Sequence, residues 1–150
     1  MLLVRALAAF VALPGVVAFL VPLLIEKDRA LGPYPHPEAA LALLYGLAVL
    51  LAAVREFYRA GRGTLAPWSP PARLVTSGPY RLSRNPMYIG VAAILAGWAW
   101  LFASLALALY ALGVVVAFHL RVILYEEPLA ARRFASEWSR YRARVPRWLF

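Results

Sequence analysis

The chain has no cysteine, only two histidines and only seven acidic residues among 150. Without cysteine there is no disulfide framework, thiolate metal site, cysteine nucleophile or iron–sulfur cluster. Charge of either sign is scarce: 15% of residues are charged while 63% are hydrophobic, more apolar surface than a soluble domain of this size can hide. The sixteen Lys and Arg residues give a net charge of +9. They sit in blocks between long uncharged runs, a pattern that fits anionic headgroups better than nucleic acid.

Those runs predict an all-α integral membrane bundle of about four transmembrane helices, forming a single domain over 1–150. Ala6 to Ile25 is uncharged for 20 residues, about the 30 Å of a hydrocarbon core at a 1.5 Å rise. Pro14-Gly15 should kink it. A signal peptide is the competing reading, but one arginine makes a thin leading region, the run is long, and no small-residue cleavage site follows, so it reads as a retained anchor. Pro33, Pro35 and Pro37 mark a loop, and a second uncharged run extends from Ala39 to Val54. Asn85 to Leu120 is uncharged for 36 residues, about 54 Å as one helix, so it must fold back as a hairpin turning near Ala103-Ser104. Trp98, Trp100 and Phe102 would then mark the far interface. The predicted spans are about 6–25, 39–56, 86–102 and 104–122, with a tail over 123–150. With four spans, fourteen of the sixteen cations share one side, which predicts cytoplasmic termini.

Two segments on that side are patterned beyond simple anchoring. The first, Ala60 to Gly90, is rich in Gly and Pro and ends in Asn85-Pro86, an N-cap followed by proline at the first helical position. A helix start there, with Arg81 and Arg84 beside it, suits a carboxylate or phosphate. It is equally a positive-inside loop with a helix cap. The second, His119 to Phe150, carries Glu126-Glu127 near the membrane edge and then an amphipathic helix. Phe134, Trp138, Tyr141 and Val145 fall on one face and Arg133, Arg140 and Arg144 on another, a helix expected along the membrane surface. Adjacent carboxylates at such a depth are costly unless paired or functional. The plain alternative is pairing with Arg132, Arg133 or Arg84 and starting the next helix. A lone His119 is more often a helix-end residue than a ligand, and His36 is expected on the opposite side, so no metal is expected.

Together GPYRLSRNPMYIG and EEPLAARRFASEWSRYRARVPRW resemble the isoprenylcysteine carboxyl methyltransferase and phospholipid methyltransferase superfamily, over about residues 61–148. Gly78, Tyr80, Arg84, Asn85, Pro86, Tyr88 and Gly90 match its first motif; Glu126, Glu127, Tyr141, Arg144 and Pro146 match its second. Three positions depart: Asn85 stands for a frequent histidine, Ala135 for a glycine, and Trp138 for the first tyrosine of the tail pattern. The resemblance implies methyl transfer from S-adenosylmethionine to a lipid-like acceptor, an isoprenoid carboxylate or phospholipid amine, leaving S-adenosylhomocysteine. On that reading Glu126 or Glu127 holds the cofactor's ammonium, and the Pro86 helix start with an arginine holds its carboxylate. Tyr88 or Tyr141 flanks adenine, and Gly78 and Gly90 admit close backbone approach. Tyr80, Asn85 and His119 complete the expected cofactor side. Arg84 and Arg144 are expected to orient the acceptor's anionic group, and Glu127 or Tyr88 to take a proton from an amine. Two other readings stay open: a nicotinamide-dependent lipid or sterol-type reductase, against which stands the lack of a G-x-G-x-x-G unit, and a non-catalytic protein holding anionic lipid.

Overall fold

The structure is a computed structural model, and it describes residues 11–28, 34–61 and 72–149. The start of the first predicted span, Pro33 of the first loop and the stretch 62–71 lie outside the described residues. Helix α1 runs as a π-helix over Val11–Leu20 and continues as an α-helix over Val21–Ile25. Helix α2 spans Ala40–Gly61, α3 Pro86–Leu101, α4 Leu105–Arg121 and α5 Glu127–Arg144. A π-turn over Val122–Glu126 joins α4 to α5 without a break in the helical path. Short 3-10 turns lie at Pro37–Ala39 and Gly78–Arg81.

Helices α2 and α3 form the centre of the bundle and cross backbone to backbone. A Cβ on Gly46 would lie 2.7 Å from the Ile94 nitrogen and 2.8 Å from the Gly90 oxygen, and one on Gly90 would lie 2.8 Å from the Leu50 nitrogen. Small residues at such a crossing let helices gain dispersion contact where lipid removes the hydrophobic drive between them. Gly90, expected to admit the cofactor, is therefore spent on helix packing. Leu50, Val91, Ile94 and Leu95 are buried around this crossing, with Ala18 of α1 against them.

Helix α1 accommodates its prolines through neighbouring helices. Pro22 has no N–H to give the carbonyls four and five residues before it. Those two carbonyls take side-chain donors instead: Trp98 Nε1 donates to Ala18 O at 2.8 Å and Tyr110 Oη donates to Val17 O at 3.0 Å. Pro14 is absorbed within the π-helical stretch.

The hairpin turns where expected. Ala103 takes a positive φ of 46°, and Ser104 caps α4 by accepting from the Leu107 nitrogen. Phe102 beside the turn is 1% exposed, stacked on Trp98 and packed with Leu101 and Leu107. The buried Ser104 hydroxyl donates to the Glu26 carboxylate at this end of the bundle. His36 lies there too, bonded to Glu38 and near Trp100.

The outer faces are apolar. Leu41 and Leu44 of α2 and Leu105, Leu109 and Leu112 of α4 are exposed, Leu105 by 74%. Exposed apolar area on this scale needs lipid, not water, around it. Pro37–Gly61 and Leu105–Arg144 are each long and apolar enough to cross a membrane, and Pro14–Ile25 and Pro86–Leu101 are shorter apolar helices. The helix that contains the second predicted span extends beyond it through Arg59 to Gly61. Its last turns are fixed by Phe57 and Ala60 packing with Val75 and Tyr80.

The tail departs from the expectation of a surface helix. Trp138, Tyr141 and Val145 are buried and pack with Leu74, Ala130 and Phe134, so the apolar face of α5 is covered by the protein itself. Arg133, Arg140 and Arg144 occupy the exposed face. The helix also bends sharply at Ala135, whose φ of 38° and ψ of −108° suit a residue without a Cβ.

Candidate functional site

The two patterned segments meet through main-chain carbonyls. After α5 ends, the chain turns at Val145 and runs back along the loop before α3. Ser83 Oγ and Asn85 Nδ2 each donate to the Arg147 carbonyl at 3.0 Å, and the Arg84 nitrogen donates to Pro146 O at 2.9 Å. Asn85 occupies the N-cap position of α3 and Pro86 its first turn, as expected, but the Asn85 side chain makes no capping bond. Its amide is turned to the tail. The asparagine amide supplies that donor.

This clip brings Arg147 onto Glu127. Arg147 Nε and Nη2 donate to the two carboxylate oxygens at 2.8 and 2.9 Å, the fork geometry in which guanidinium and carboxylate match best. Arg84 Nη1 lies 2.9 Å from Glu127 Oε1, and its side chain is 9% exposed. The angle is poor: Arg84 Nε and Nη1 make no hydrogen bond among the described residues. The guanidinium lies against the Trp138 ring, 5.4 Å from its centroid. Burial lowers the Arg84 pKa from its ordinary value, and Glu127 opposes the shift. For Glu127, burial would raise the pKa, but the Arg147 hydrogen bond and the charges of Arg84, Arg147 and Arg142 outweigh it, so the carboxyl is held below its ordinary range.

Glu126 belongs to a second cluster. Arg121 Nε donates to its Oε1 at 2.7 Å, and Tyr88 Oη donates to the same oxygen at 2.5 Å. Residues five apart share a face only where the helix widens to i→i+5 bonding, so the π-turn Val122–Glu126 is what lets Arg121 reach Glu126. The Tyr88 ring is stacked on Phe118 at 4.3 Å, so that face is already used within the bundle.

Between these clusters is a cavity of about 140 Å³. Glu126, Glu127, Arg84 and Asn85 form its polar wall, and Phe57, Tyr80, Phe134, Trp138 and Tyr141 its aromatic one. Tyr141 Oη donates to Tyr80 O at 2.7 Å. Burial pushes the Tyr141 pKa up to about 12 against the pull of Arg84, and burial pushes Tyr80 up as well. Both phenols therefore stay neutral.

Of the expected residues, Arg84, Asn85, Tyr80, Glu126, Glu127 and Tyr141 line the cavity. Tyr88 reaches it only through Glu126. Gly78 adopts a φ of +57° that turns the chain beside Glu56. His119 stands outside, an exposed residue accepting from Trp148 Nε1 at 3.3 Å and stacked on that ring. Arg144, expected with Arg84 to orient the acceptor's anionic group, is exposed with its Nε on Arg140 O at 3.2 Å, and it is Arg147 that bonds Glu127. Arg121 and Arg147 are the members that sequence spacing missed; Trp138 lies on the face with Tyr141 that helical spacing gave it, and no site role had been expected of it. The plain expectation for the acidic pair is met in part: α5 begins at Glu127, and Arg84 is one of its partners.

A helical membrane protein with an acid-, arginine- and aromatic-lined cavity at one end of its bundle is thereby defined. Residues 36–137 match the family model of phospholipid methyltransferases, and the chain belongs to that family of membrane methyltransferases. No curated protein and no solved structure matches the chain.

Proposed function

We propose that this chain transfers a methyl group from S-adenosylmethionine to a lipid-like acceptor, an isoprenoid carboxylate or a phospholipid amine, at the cytoplasmic face of a prokaryotic inner membrane. In this reading the chain crosses the bilayer four times, with both termini on that face. The observation that carries it is the cavity, which sets two carboxylates and a buried, incompletely bonded guanidinium among aromatic rings where α3 and α4 reach the tail. S-adenosylmethionine supplies an activated methyl on a sulfonium, and its ammonium, carboxylate and adenine ring match that donor set.

The residues divide by their partners. Glu127 is tied to two arginines and holds its charge, so it suits a cation and makes a poor proton acceptor. Glu126 has one arginine and a phenol, and it is the better base for an amine acceptor. Trp138, Phe134 and Tyr141 offer ring faces, and of the two tyrosines expected in that role Tyr141 is the one that lines the cavity. Arg84 takes the anionic group. The cavity is smaller than the roughly 300 Å³ or more of a typical small-molecule site, so as built it takes one end of a nucleoside-sized ligand or a headgroup. Alignment of donor and acceptor in a water-poor site can supply several kcal/mol without a covalent intermediate.

Calorimetric titration of the detergent-purified protein with S-adenosylhomocysteine tests the reading. Binding by the parent that is lost in Glu126→Gln/Glu127→Gln is expected; absence of binding in lipid-like conditions overturns it.

A further inference from the structure

Charge within the site does not balance. Arg84, Arg121 and Arg147 face Glu126 and Glu127, so one positive charge is left over, with Arg142 acting from nearby. Arg121 is committed to Glu126, and Arg147 occupies both oxygens of Glu127. The surplus therefore falls on Arg84, whose side chain is more than nine-tenths buried and lines the cavity with Nε and Nη1 unbonded among the described residues. A buried guanidinium left in this state costs far more than one that finds an acceptor.

We propose that Arg147 is a positioning residue: by hydrogen-bonding both oxygens of Glu127 it leaves Arg84 ion-paired there but with Nε and Nη1 free of hydrogen bonds among the described residues, and Arg84 then donates to an oxyanion of the ligand, a carboxylate or a phosphate. This rests on the methyl-transfer reading and deepens it, because the oxyanion belongs either to the cofactor or to the lipid acceptor. The clip through Ser83, Arg84 and Asn85 is what holds Arg147 in register, since all three bonds end on Pro146 and Arg147 carbonyls. Without Arg147, the nearest donor for the vacated Glu127 oxygens is Arg84, and a guanidinium bonded in that way is lost to the ligand.

The test is a thermal-shift titration with inorganic phosphate at constant ionic strength, on the full chain in detergent. The parent should show saturable stabilisation, and Arg147→Gln should weaken phosphate by about tenfold or more, the scale of one charge-assisted hydrogen bond. Arg147→Gln/Glu127→Gln should regain most of that loss, because Arg84 is released again; a merely structural role for Arg147 would not be rescued by removing its partner. If Arg147→Gln does not fold, Arg147→Lys with and without Glu127→Gln makes the same comparison. Unchanged phosphate affinity in the single variants, or no recovery in the folded double variants, overturns the proposal. A second titration with S-adenosylhomocysteine separates the sources: competition with phosphate assigns the oxyanion to the cofactor, independent binding assigns it to the lipid headgroup, and both uphold the site. Binding of S-adenosylhomocysteine by a parent that ignores phosphate overturns the oxyanion site alone and leaves methyl transfer standing.

Discussion

Tyr88 and Glu126 are joined by a 2.5 Å hydrogen bond that links the first turn of α3 to the π-turn at the end of α4. The bond ties the two motifs together on the membrane side, as the Arg147 clip does on the tail side. Tyr88→Phe keeps the Phe118 stack and loses the hydroxyl's interactions with Glu126 and Arg121, so a cost of about 1–2 kcal/mol in stability is expected, with a clear fall in S-adenosylhomocysteine affinity. Tyr88→Ala should cost more in stability by the ring's packing. Equal affinities for Tyr88→Phe and parent, measured by calorimetry, would remove Tyr88 from the site.

Gly46→Ala and Gly90→Ala place a Cβ within 3 Å of backbone atoms of the facing helix, which no rotamer change relieves. Each is expected to destabilise by about 1–3 kcal/mol or more and to lower the yield of folded protein. Gly113→Ala is the control: nothing lies within 4 Å of its Cβ, so better helix propensity should leave the melting temperature unchanged or raise it.

Ala135→Gly should stabilise the protein, the reverse of the usual cost of glycine inside a helix. The positive φ at this kink strains any residue with a Cβ, by about 1 kcal/mol or more, and glycine removes the strain. A higher melting temperature for the variant is the expected result; a lower one would show that helix propensity governs the position.

Acid should loosen the site at a predictable end of the pH scale. The folded pKa of Glu127 lies below its ordinary 4.5, so its stabilising contribution is complete above about pH 4.5 and is lost as pH falls through the folded value. Arg147→Gln weakens the main hydrogen bond that lowers this pKa, and the acid limb of its melting temperature against pH profile is expected to move to higher pH. Superimposable acid limbs would contradict the pairing.

What the amino-acid order made legible follows from where periodicity and composition carry information. An uncharged run too long for one crossing forced the hairpin at Ala103-Ser104, and proline after asparagine marked the start of α3 at Pro86. Arg84 was one of three arginines weighed as partners of the acidic pair, and it is the one that meets Glu127. Spacing failed at the tail: helical phase placed Arg144 with Arg133 and Arg140 but said nothing of Arg147, which lies beyond the helix end where the chain doubles back. Gly90 was misread for a similar reason, because a glycine that admits a ligand and one that admits a neighbouring helix look the same in one dimension. The bend at Ala135 was hidden because alanine is the residue least expected there.

The π-turn at Val122–Glu126 has a genetic consequence. A widened turn of this kind equals one residue inserted into an ordinary helix, so deleting any one residue between Val122 and Tyr125 would let the helical path from Leu105 close into ordinary α-helix as far as the bend at Ala135. Everything beyond the deletion would keep nearly its present phase, because a five-residue turn becomes an ordinary four-residue one. Glu127 would stay near Arg84, and Arg121 and Glu126 would stand four residues apart, the spacing at which helical side chains meet. The loss of one codon from the ordinary α-helix on either side would instead turn the acidic pair by about 100° and is expected to be far more damaging.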